Sequence, residues 1–440
     1  MSFKRCLMPE NTLDNLYRHF LESTGICTDT RKLTEGCLFF ALKGPNFDAN
    51  QMAETALDQG AALAVIDSDA VFSASKRQSQ LFLVSDVLAT LQDLSTLHRQ
   101  TLNTPILAIG GSNGKTTTKE LVLRVLAKKF NTIATQGNLN NHIGVPLSLL
   151  QLKEDTEMAV IELGTNQPGD IKELVEICEP DFGLITNIGK EHLEGFGSLE
   201  GVAREESELF FYLQKEHGLA FVNLDDPWLE QMAERLDRVI SFGTKEEAGV
   251  YGKLVQSQPG VKLEMDNGFI SESHLPGAFN QYNMLAAWAV GRHFEVADYL
   301  IAEAIREYVP GNNRSQWKEA SGYQFLLDCY NANPSSMELA IRSITEHEGA
   351  KFLILGDMLE LGSFAKAEHQ AILDLLAELK LKDVILIGPE FKALNAPYPS
   401  FEKAEDAASY LSENAPAAGT LILLKGSRGI AVEKAVAHWL

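Results

Sequence analysis

Cysteine is scarce in this 440-residue chain, and what there is does not pair. Cys6, Cys27, Cys37, Cys178 and Cys329 show neither a disulfide framework nor metal-type spacing. A disulfide-stapled fold and a cysteine metal centre are therefore excluded, and the thiols read as reduced and mostly structural, as in a cytoplasmic protein. No apolar stretch is long enough to span a bilayer, and Met1-Ser2-Phe3-Lys4-Arg5 is not followed by an apolar signal core, so no membrane insertion is expected. Positive charge is also short: 38 Lys and Arg face 60 Asp and Glu, a formal net charge of −22. That excludes a general binder of nucleic acid or anionic membrane and leaves any anionic substrate to local cations. Internal repeats and low-complexity tracts are missing. The hydrophobic content, 45%, is ordinary for a globular chain, and 440 residues predict two to four domains with sizeable cores.

The most informative run is Gly110-Gly111-Ser112-Asn113-Gly114-Lys115-Thr116-Thr117. It follows the apolar run Ile106–Ile109 and opens a segment whose apolar Leu121, Val122, Val125 and Leu126 share one helical face. Glycines let the backbone curl until several N–H groups point into one hollow, and the helix N-terminus adds partial positive charge there. Lys115 then reaches the outer phosphates of a nucleotide and the Thr116 hydroxyl ligates Mg²⁺. The pattern usually has glycine six residues before the lysine, where this chain has Ile109. The bland alternative is a Gly-rich helix cap without a ligand. Strand before, helix after and three nearby glycines favour ATP.

Three regions separate by pattern. Residues 1–85 hold short β-like runs, Cys37–Leu42 and Ala62–Ile66, around a helical segment near Met52–Gln59, and predict a small α/β domain. Residues 86–310 begin with the helical stretch Val87–Gln100. There the apolar runs Ile106–Ile109, Met158–Ile161, Gly183–Thr186 and Ala220–Asn223 alternate with helical segments, which predicts a doubly wound, mostly parallel sheet. Val309-Pro310-Gly311-Asn312-Asn313 is a breaker cluster and linker. Residues 311–440 repeat the rhythm with Phe352–Leu355, Val384–Ile387 and Leu421–Leu424, closed by Gly356, Gly388 and Gly426. In open α/β sheets ligands sit beyond the strand C-termini, so this Rossmann-like region offers a second ligand-facing edge.

Several residues stand where chemistry needs them. Glu162 ends the run Met158–Ile161, the place for a Mg²⁺-holding acid, with a solvated strand-end carboxylate as the alternative. His192 follows the next strand and is a candidate metal ligand or an ordinary exposed histidine. Glu205, Glu206 and Glu208 lie within one helical stretch and by default form a charged solvent face. Asn138, Asn140 and Asn141 suit a neutral, hydrogen-bonding ligand such as a sugar or peptide, or simply make Asx turns. Asn280 and Asn283 cap the helical run Met284–Val290 or reach a base. Thr28-Asp29-Thr30-Arg31 and Lys43-Gly44 are cationic turns that suit a diphosphate, and Lys425-Gly426-Ser427-Arg428 is another cationic anion pocket.

Taken together, these motifs resemble those of the Mur ligases over nearly the whole chain. The resemblance is carried by Thr28–Arg31, Phe40–Gly44, Gly111–Thr116, Gly137–Asn141, Glu162–Asn166, His192–Gly197, Tyr330-Asn331-Ala332-Asn333-Pro334, Gly356-Asp357-Met358-Leu359-Glu360-Leu361-Gly362 and Lys425–Arg428. It implies three domains: one for the UDP part of the substrate, a central ATPase, and a Rossmann-like domain closing over the nucleotide. The Tyr330–Asn333 and Asp357–Gly362 runs point to the member that joins D-Ala-D-Ala to UDP-MurNAc-tripeptide for peptidoglycan, an ATP-dependent peptide ligase acting through an acyl phosphate. Lys115 would neutralise the γ-phosphate, Thr116 and Glu162 would hold one Mg²⁺, and His192 would serve a second. Asn280 and Asn283 would lie near the adenine, and Arg314 and Asp328 would reach the ATP on closure. Asn138, Asn140, Asn141 and Asn333 would face the substrate, as would the turns of the first region and Lys425 and Arg428. A cytoplasmic monomer is expected.

Three positions depart from the family pattern. Gly110 stands where threonine is usual, a change expected to loosen the loop, and Phe279 replaces a histidine before Asn280. Glu206 falls where the family often carries a carbamylated lysine, and glutamate already carries a carboxylate on a shorter stem. The rival readings are another Mur-type amino-acid ligase and, from a different class, a P-loop phosphotransferase or GTPase-like switch. The chain has no Asn-Lys-x-Asp guanine motif, which counts against the switch.

Overall fold

Runs of four to six apolar residues with no polar alternation need cover on both faces, and the sheets of this protein are built that way. The structure is a computed structural model describing residues 12–311 and 313–440. The expectations for Cys6, the N-terminal pentapeptide and Asn312 of the linker lie outside them. The chain divides into two compact units, and both are mixed α/β.

The first unit comprises residues up to Leu107, Asn131–Leu163 and Glu173–Pro180. Its elements are α1 (Leu13–Glu22), β1 (Ile26–Cys27), β2 (Leu38–Phe40), β3 (Leu63–Ile66), β4 (Leu81–Leu83) and α2 (Val87–Leu102). The four strands form a parallel sheet in the order β1-β2-β3-β4, with Leu38 opposite Leu63 and Ala64 opposite Leu81. Strand period two splits the core. Leu38, Phe40, Leu63 and Val65 pack with Leu16 and Phe20 of α1 and Leu91 and Leu94 of α2. Phe39, Ala41, Ala64 and Ile66 pack with Ala53 and Ala56 on the other face. The chain continues through β5 (Ile106–Gly110), β6 (Thr132–Ala134) and β7 (Met158–Glu162). Strands β6 and β7 pair in parallel, and the Ala159 N–H donates to the Pro105 carbonyl just before β5.

The second unit holds Ala108–Phe130, Gly164–Lys172 and everything from Asp181 onward. Helix α3 (Lys115–Leu126) follows the phosphate loop, and β8 (Phe182–Ile185), α4 (Leu199–Lys215), β9 (Leu219–Asn223) and β10 (Val239–Gly243) follow in turn. Strands β8, β9 and β10 are parallel neighbours. The sequence reading missed an antiparallel ribbon that extends them: β11 (Val250–Gln256), β12 (Lys262–Met265) and β13 (Ile270–Glu272). Helix α5 (Asn280–His293) buries Met284 through Gly291.

A second sheet in this unit uses β14 (Gln316–Ala320), β15 (Tyr323–Asp328), β16 (Lys351–Gly356), β17 (Val384–Ile387), β18 (Ser400–Phe401) and β19 (Leu421–Lys425), with α6 (Pro334–Thr345) and α7 (Ala365–Glu378) among its helices. Its order is β14-β15-β19-β16-β17-β18, parallel except for the β14–β15 pair. Alternate residues again serve two cores. Leu353 and Leu355 pack with α6 and α7, while Ile354, Ile385 and Ile387 pack with Ala404, Ala407 and the C-terminal turns.

One buried titratable group ties the first unit together. His98 on α2 is 3% exposed, with Nδ1 3.0 Å from the Tyr17 hydroxyl and Nε2 2.9 Å from the Leu152 carbonyl. Nε2 is thus the protonated nitrogen and Nδ1 accepts from tyrosine. Burial holds His98 below its ordinary value of 6.5. As pH falls below 6.5 the unfolded chain takes up a proton that the folded chain refuses, so stability is lost on acidification until the folded imidazole titrates too. The expected result is a denaturation midpoint that drops more steeply from pH 7 to pH 5 in the parent than in His98→Gln, by at most about 1.4 kcal/mol per pH unit; equal slopes would show that His98 carries no such linkage.

Candidate active site

The phosphate loop leaves β5 at Gly110 and enters α3 at Lys115 with Gly114 as the N-cap. Gly111 has φ +108, and a Cβ there would lie 2.3 Å from Thr186 Oγ1, so only glycine fits. The loop is clasped by the turn after β8. The Ser112 N–H donates to the Asn187 carbonyl (2.9 Å), the Asn113 N–H to Asn187 Oδ1 (3.2 Å), and Asn187 Nδ2 returns a bond to the Asn113 carbonyl (2.7 Å). The Gly189 N–H donates to Ser112 Oγ at 2.8 Å. Lys115 Nζ donates to the Gly111 carbonyl and lies 3.5 Å from Glu191 Oε2. Glu191 is 4% exposed. The sequence reading did not single it out or Asn187, because nothing local marks a carboxylate six residues past a strand as a lysine partner.

Glu205 and Glu206 are not a solvent face. Glu205 is buried and accepts from the N–H groups of Gly169 (2.8 Å) and Ile171 (2.7 Å) and from Thr165 Oγ1 (3.3 Å), which fixes a polar turn. Glu206 is fully buried beneath the phosphate loop, and its Oε2 accepts the Gly111 N–H at 2.7 Å. Burial is the main cause pushing its carboxyl up, to about 8; Lys115 opposes the rise and Glu191 adds to it. Glu206 Oε1 and Glu191 Oε1 are both buried without a hydrogen-bond partner among the described residues. Two hard oxygens near an engaged lysine fit a divalent cation such as Mg²⁺, whose charge would draw the Glu206 carboxyl back to its ionised form.

Two of the family departures are one physical fact. A Cβ at Gly110 would stand 2.7 Å from Glu206 Oε2. Glycine here does not loosen the loop, since Gly110 is a buried strand residue; it makes room for the carboxylate. The third departure, Phe279, is the residue just before α5 and rests its ring against Gly277.

The remaining candidates fall into several settings. Asn280 and Asn283 are buried in a chain behind the loop: Thr118 Oγ1 donates to Asn283 Oδ1 (3.0 Å), Asn283 Nδ2 to Asn280 Oδ1 (2.8 Å), and Asn280 Nδ2 to the Pro276 carbonyl (2.7 Å). Asn333 caps α6 and donates from Nδ2 to Asn113 Oδ1 at 2.9 Å, which ties the Tyr-Asn-Ala-Asn run to the phosphate loop. His192 Nδ1 lies 2.7 Å from Glu360 Oε2. Lys425 is buried against Asp328 (2.7 Å), whose other oxygen accepts the Ser315 N–H, and the Arg314 guanidinium lies over the Tyr330 ring at 3.6 Å. Arg428 is exposed and pairs with Glu433.

In the first unit Glu162 is 2% exposed and its Oε1 accepts from Asn140 Nδ2 at 2.9 Å. Asn141 makes an Asx turn, accepting the N–H groups of Ile143 and Gly144, and Asn138 is exposed. Thr28 precedes Asp29, which caps the short turn Thr30–Lys32; the Arg31 guanidinium beside Asp29 holds its carboxyl down to about 2. Lys43 pairs with Asp67 at 2.7 Å, and Gly44 lies against the exposed ring of Phe47, an aromatic that the sequence reading passed over.

The Gly110–Glu206 contact predicts a coupled effect. Gly110→Ala is expected to lower the thermal midpoint, at a cost of about 1–3 kcal/mol, because the new methyl must displace a carboxylate bonded to Gly111. In a Glu206→Ala background the same change should cost much less. Additive effects in a double-mutant cycle would refute the coupling.

Comparison with known proteins gives the family. Residues 109–291 match the Mur ligase middle domain and residues 313–428 the Mur ligase, glutamate ligase domain. The chain is 34% identical over 444 residues to the UDP-N-acetylmuramoyl-tripeptide–D-alanyl-D-alanine ligase of Bacillus subtilis strain 168, covering 98% of this chain and 96% of that protein. It is 32% identical to the enzyme of that name from Escherichia coli K12, over 93% of this chain and 92% of that one. A crystal structure of MurF from Acinetobacter baumannii superposes with a TM-score of 0.86 at 28% identity, covering 97% of this chain and 98% of the other. The MurF ligase of Thermotoga maritima in complex with ADP gives 0.84 at 26% identity, over 95% and 97%. The chain belongs to the Mur ligase family.

Proposed function

We propose that this protein is the ATP-dependent ligase that joins D-alanyl-D-alanine to UDP-N-acetylmuramoyl-tripeptide in the cytoplasmic synthesis of peptidoglycan precursors. The observation that carries the proposal is the phosphate loop, with Lys115 held at its mouth and Asn113 bonded to Asn333 of the Tyr-Asn-Ala-Asn run. The near full-length match to ligases of this name supports it. The protein acts as a monomer. Residues 1–85 take the UDP part of the substrate, 86–310 the ATP, and 311–440 form the closing ligase domain.

A carboxylate does not acylate amines, because its leaving group would be oxide. Transfer of the γ-phosphoryl group of ATP to the tripeptide carboxylate breaks the P–O bond to ADP and makes an acyl phosphate. The amine of the dipeptide then attacks the acyl carbon through a tetrahedral oxyanion, and inorganic phosphate departs. Lys115 neutralises charge on the transferred group, and the backbone N–H groups of the loop hold the phosphates. Mg²⁺, when bound, would offset the repulsion between an anionic nucleophile and ATP. Thr116 and Glu162 would supply oxygens for one ion, and His192 and Glu206 would be ligands for another, with Glu206 standing in, unmodified, for the family's carbamylated lysine. Asn280, Asn283, Arg314 and Asp328 support the nucleotide side. Thr28, Asp29, Thr30, Arg31, Lys43 and Gly44 serve the UDP moiety, and Asn138, Asn140, Asn141, Asn333, Lys425 and Arg428 serve the peptide side.

Phosphate release is expected only when ATP, UDP-MurNAc-tripeptide and D-Ala-D-Ala are all present. A phosphotransferase would keep the phosphate on its product, and a simple ATPase would not need both acceptors. Lys115→Ala should cost about 10²–10³-fold in turnover, and Glu206→Gln about 10–100-fold in Mg²⁺-dependent turnover. Hydroxylamine should trap the hydroxamate of the nucleotide-linked peptide. Peptide-bond formation with no hydroxamate would overturn the acyl-phosphate route, and a fully active Glu206→Gln would overturn the ligand role of Glu206.

A further inference from the structure

The Gly-Asp-Met-Leu-Glu-Leu-Gly run is absorbed by no step above, yet it is docked on the loop that carries His192. His192 Nδ1 lies 2.7 Å from Glu360 Oε2, and the Glu194 N–H donates to the Glu360 carbonyl at 3.2 Å. Gly362 packs so closely that a Cβ would meet Glu194 Cγ at 3.0 Å. Beside this contact, the Lys190 N–H donates to Ser335 Oγ (3.0 Å) and Lys190 Nζ donates to Glu368 (2.7 Å).

Stability does not explain the His192–Glu360 pair. The Glu360 side chain is 58% exposed, and exposed ion pairs contribute about 0–1 kcal/mol. Both partners, moreover, sit in left-handed backbone, His192 at φ 43 and Glu360 at φ 63. Such conformations cost of order 1–3 kcal/mol each and persist where a side chain must be held in one place. The chemistry of the contact supplies the reason. An imidazole that donates its Nδ1 hydrogen to a carboxylate is fixed in orientation and tautomer, with the Nε2 lone pair left to bind a cation.

We infer that Glu360 is a positioning residue for His192: it fixes the imidazole so that Nε2 ligates a divalent cation, and so makes that metal site depend on docking of the Gly356–Gly362 segment. The inference rests on the proposed reading of His192 as a Mg²⁺ ligand. In consequence the metal site is complete only when the C-terminal sheet's loop is seated.

The test is Mn²⁺ binding to the full-length protein in the presence of ADP, followed by electron paramagnetic resonance. Glu360→Ala, Glu360→Gln and His192→Ala are compared with the parent after thermal denaturation has shown each to be folded. Glu360→Ala is expected to weaken one Mn²⁺ site by about 10–100-fold, Glu360→Gln to fall between it and the parent, and His192→Ala to lose the same site. Parental Mn²⁺ binding by Glu360→Ala, with a site lost in His192→Ala, overturns the positioning role and leaves the ligand role standing. Parental binding by His192→Ala overturns the ligand reading itself. A Glu360→Ala variant altered only in its thermal midpoint shows a docking contact and nothing more, which also overturns the inference.

Discussion

A phosphate loop gathers backbone N–H donors and a lysine at one helix start, and the architecture around it depends on which acceptors hold them. Here the acceptors come from distant parts of the chain. Glu206 takes the Gly111 N–H, Asn187 takes those of Ser112 and Asn113, and Glu191 flanks Lys115. Each acceptor stands on a different element: helix α4, the turn after β8, and the stretch leading to His192. The loop's shape is thus set by the packing of the second unit as a whole, because moving any of these elements would orphan a buried donor.

The same logic separates side chains that the sequence makes look alike. Lys425 and Arg428 are both cations after one strand, yet Lys425 is buried in an ion pair with Asp328 while Arg428 reaches out to Glu433. Burying a lysine requires a partner with good geometry and a further acceptor, and Asp328 and the Asn331 carbonyl are those groups. Lys43 and Arg31 in the first unit are likewise engaged, with Asp67 and Asp29. In a chain of net charge −22, cations at surface turns find carboxylates easily.

The strands were legible because their signal is local. Val384–Ile387 lies where the apolar run predicts, and Ile106–Gly110, Met158–Glu162 and Leu421–Lys425 each run one residue further than their apolar runs. The antiparallel ribbon Val250–Glu272 was not legible, since Lys253, Glu264 and Glu272 interrupt its apolar pattern on an exposed face. The phosphate loop was legible for the same reason as the strands: eight consecutive residues carry it. What the sequence hides is pairing across distance. Asn113 meets Asn333 over 220 positions, and Thr118 meets Asn283 over 165. Nor does composition show that Glu205 and Glu206, adjacent on one helix, do different work, one saturated by three donors and the other holding one oxygen in reserve.

The space at Gly110 has a consequence for how two positions tolerate change. A Cβ at position 110 would stand 2.7 Å from Glu206 Oε2, so what one position accepts depends on what fills the other. A threonine at 110 would have to push the Glu206 carboxylate off the Gly111 N–H before it could fit. Neither residue's tolerance to substitution is therefore its own; it belongs to the couple, and a survey that changes one site at a time misjudges both.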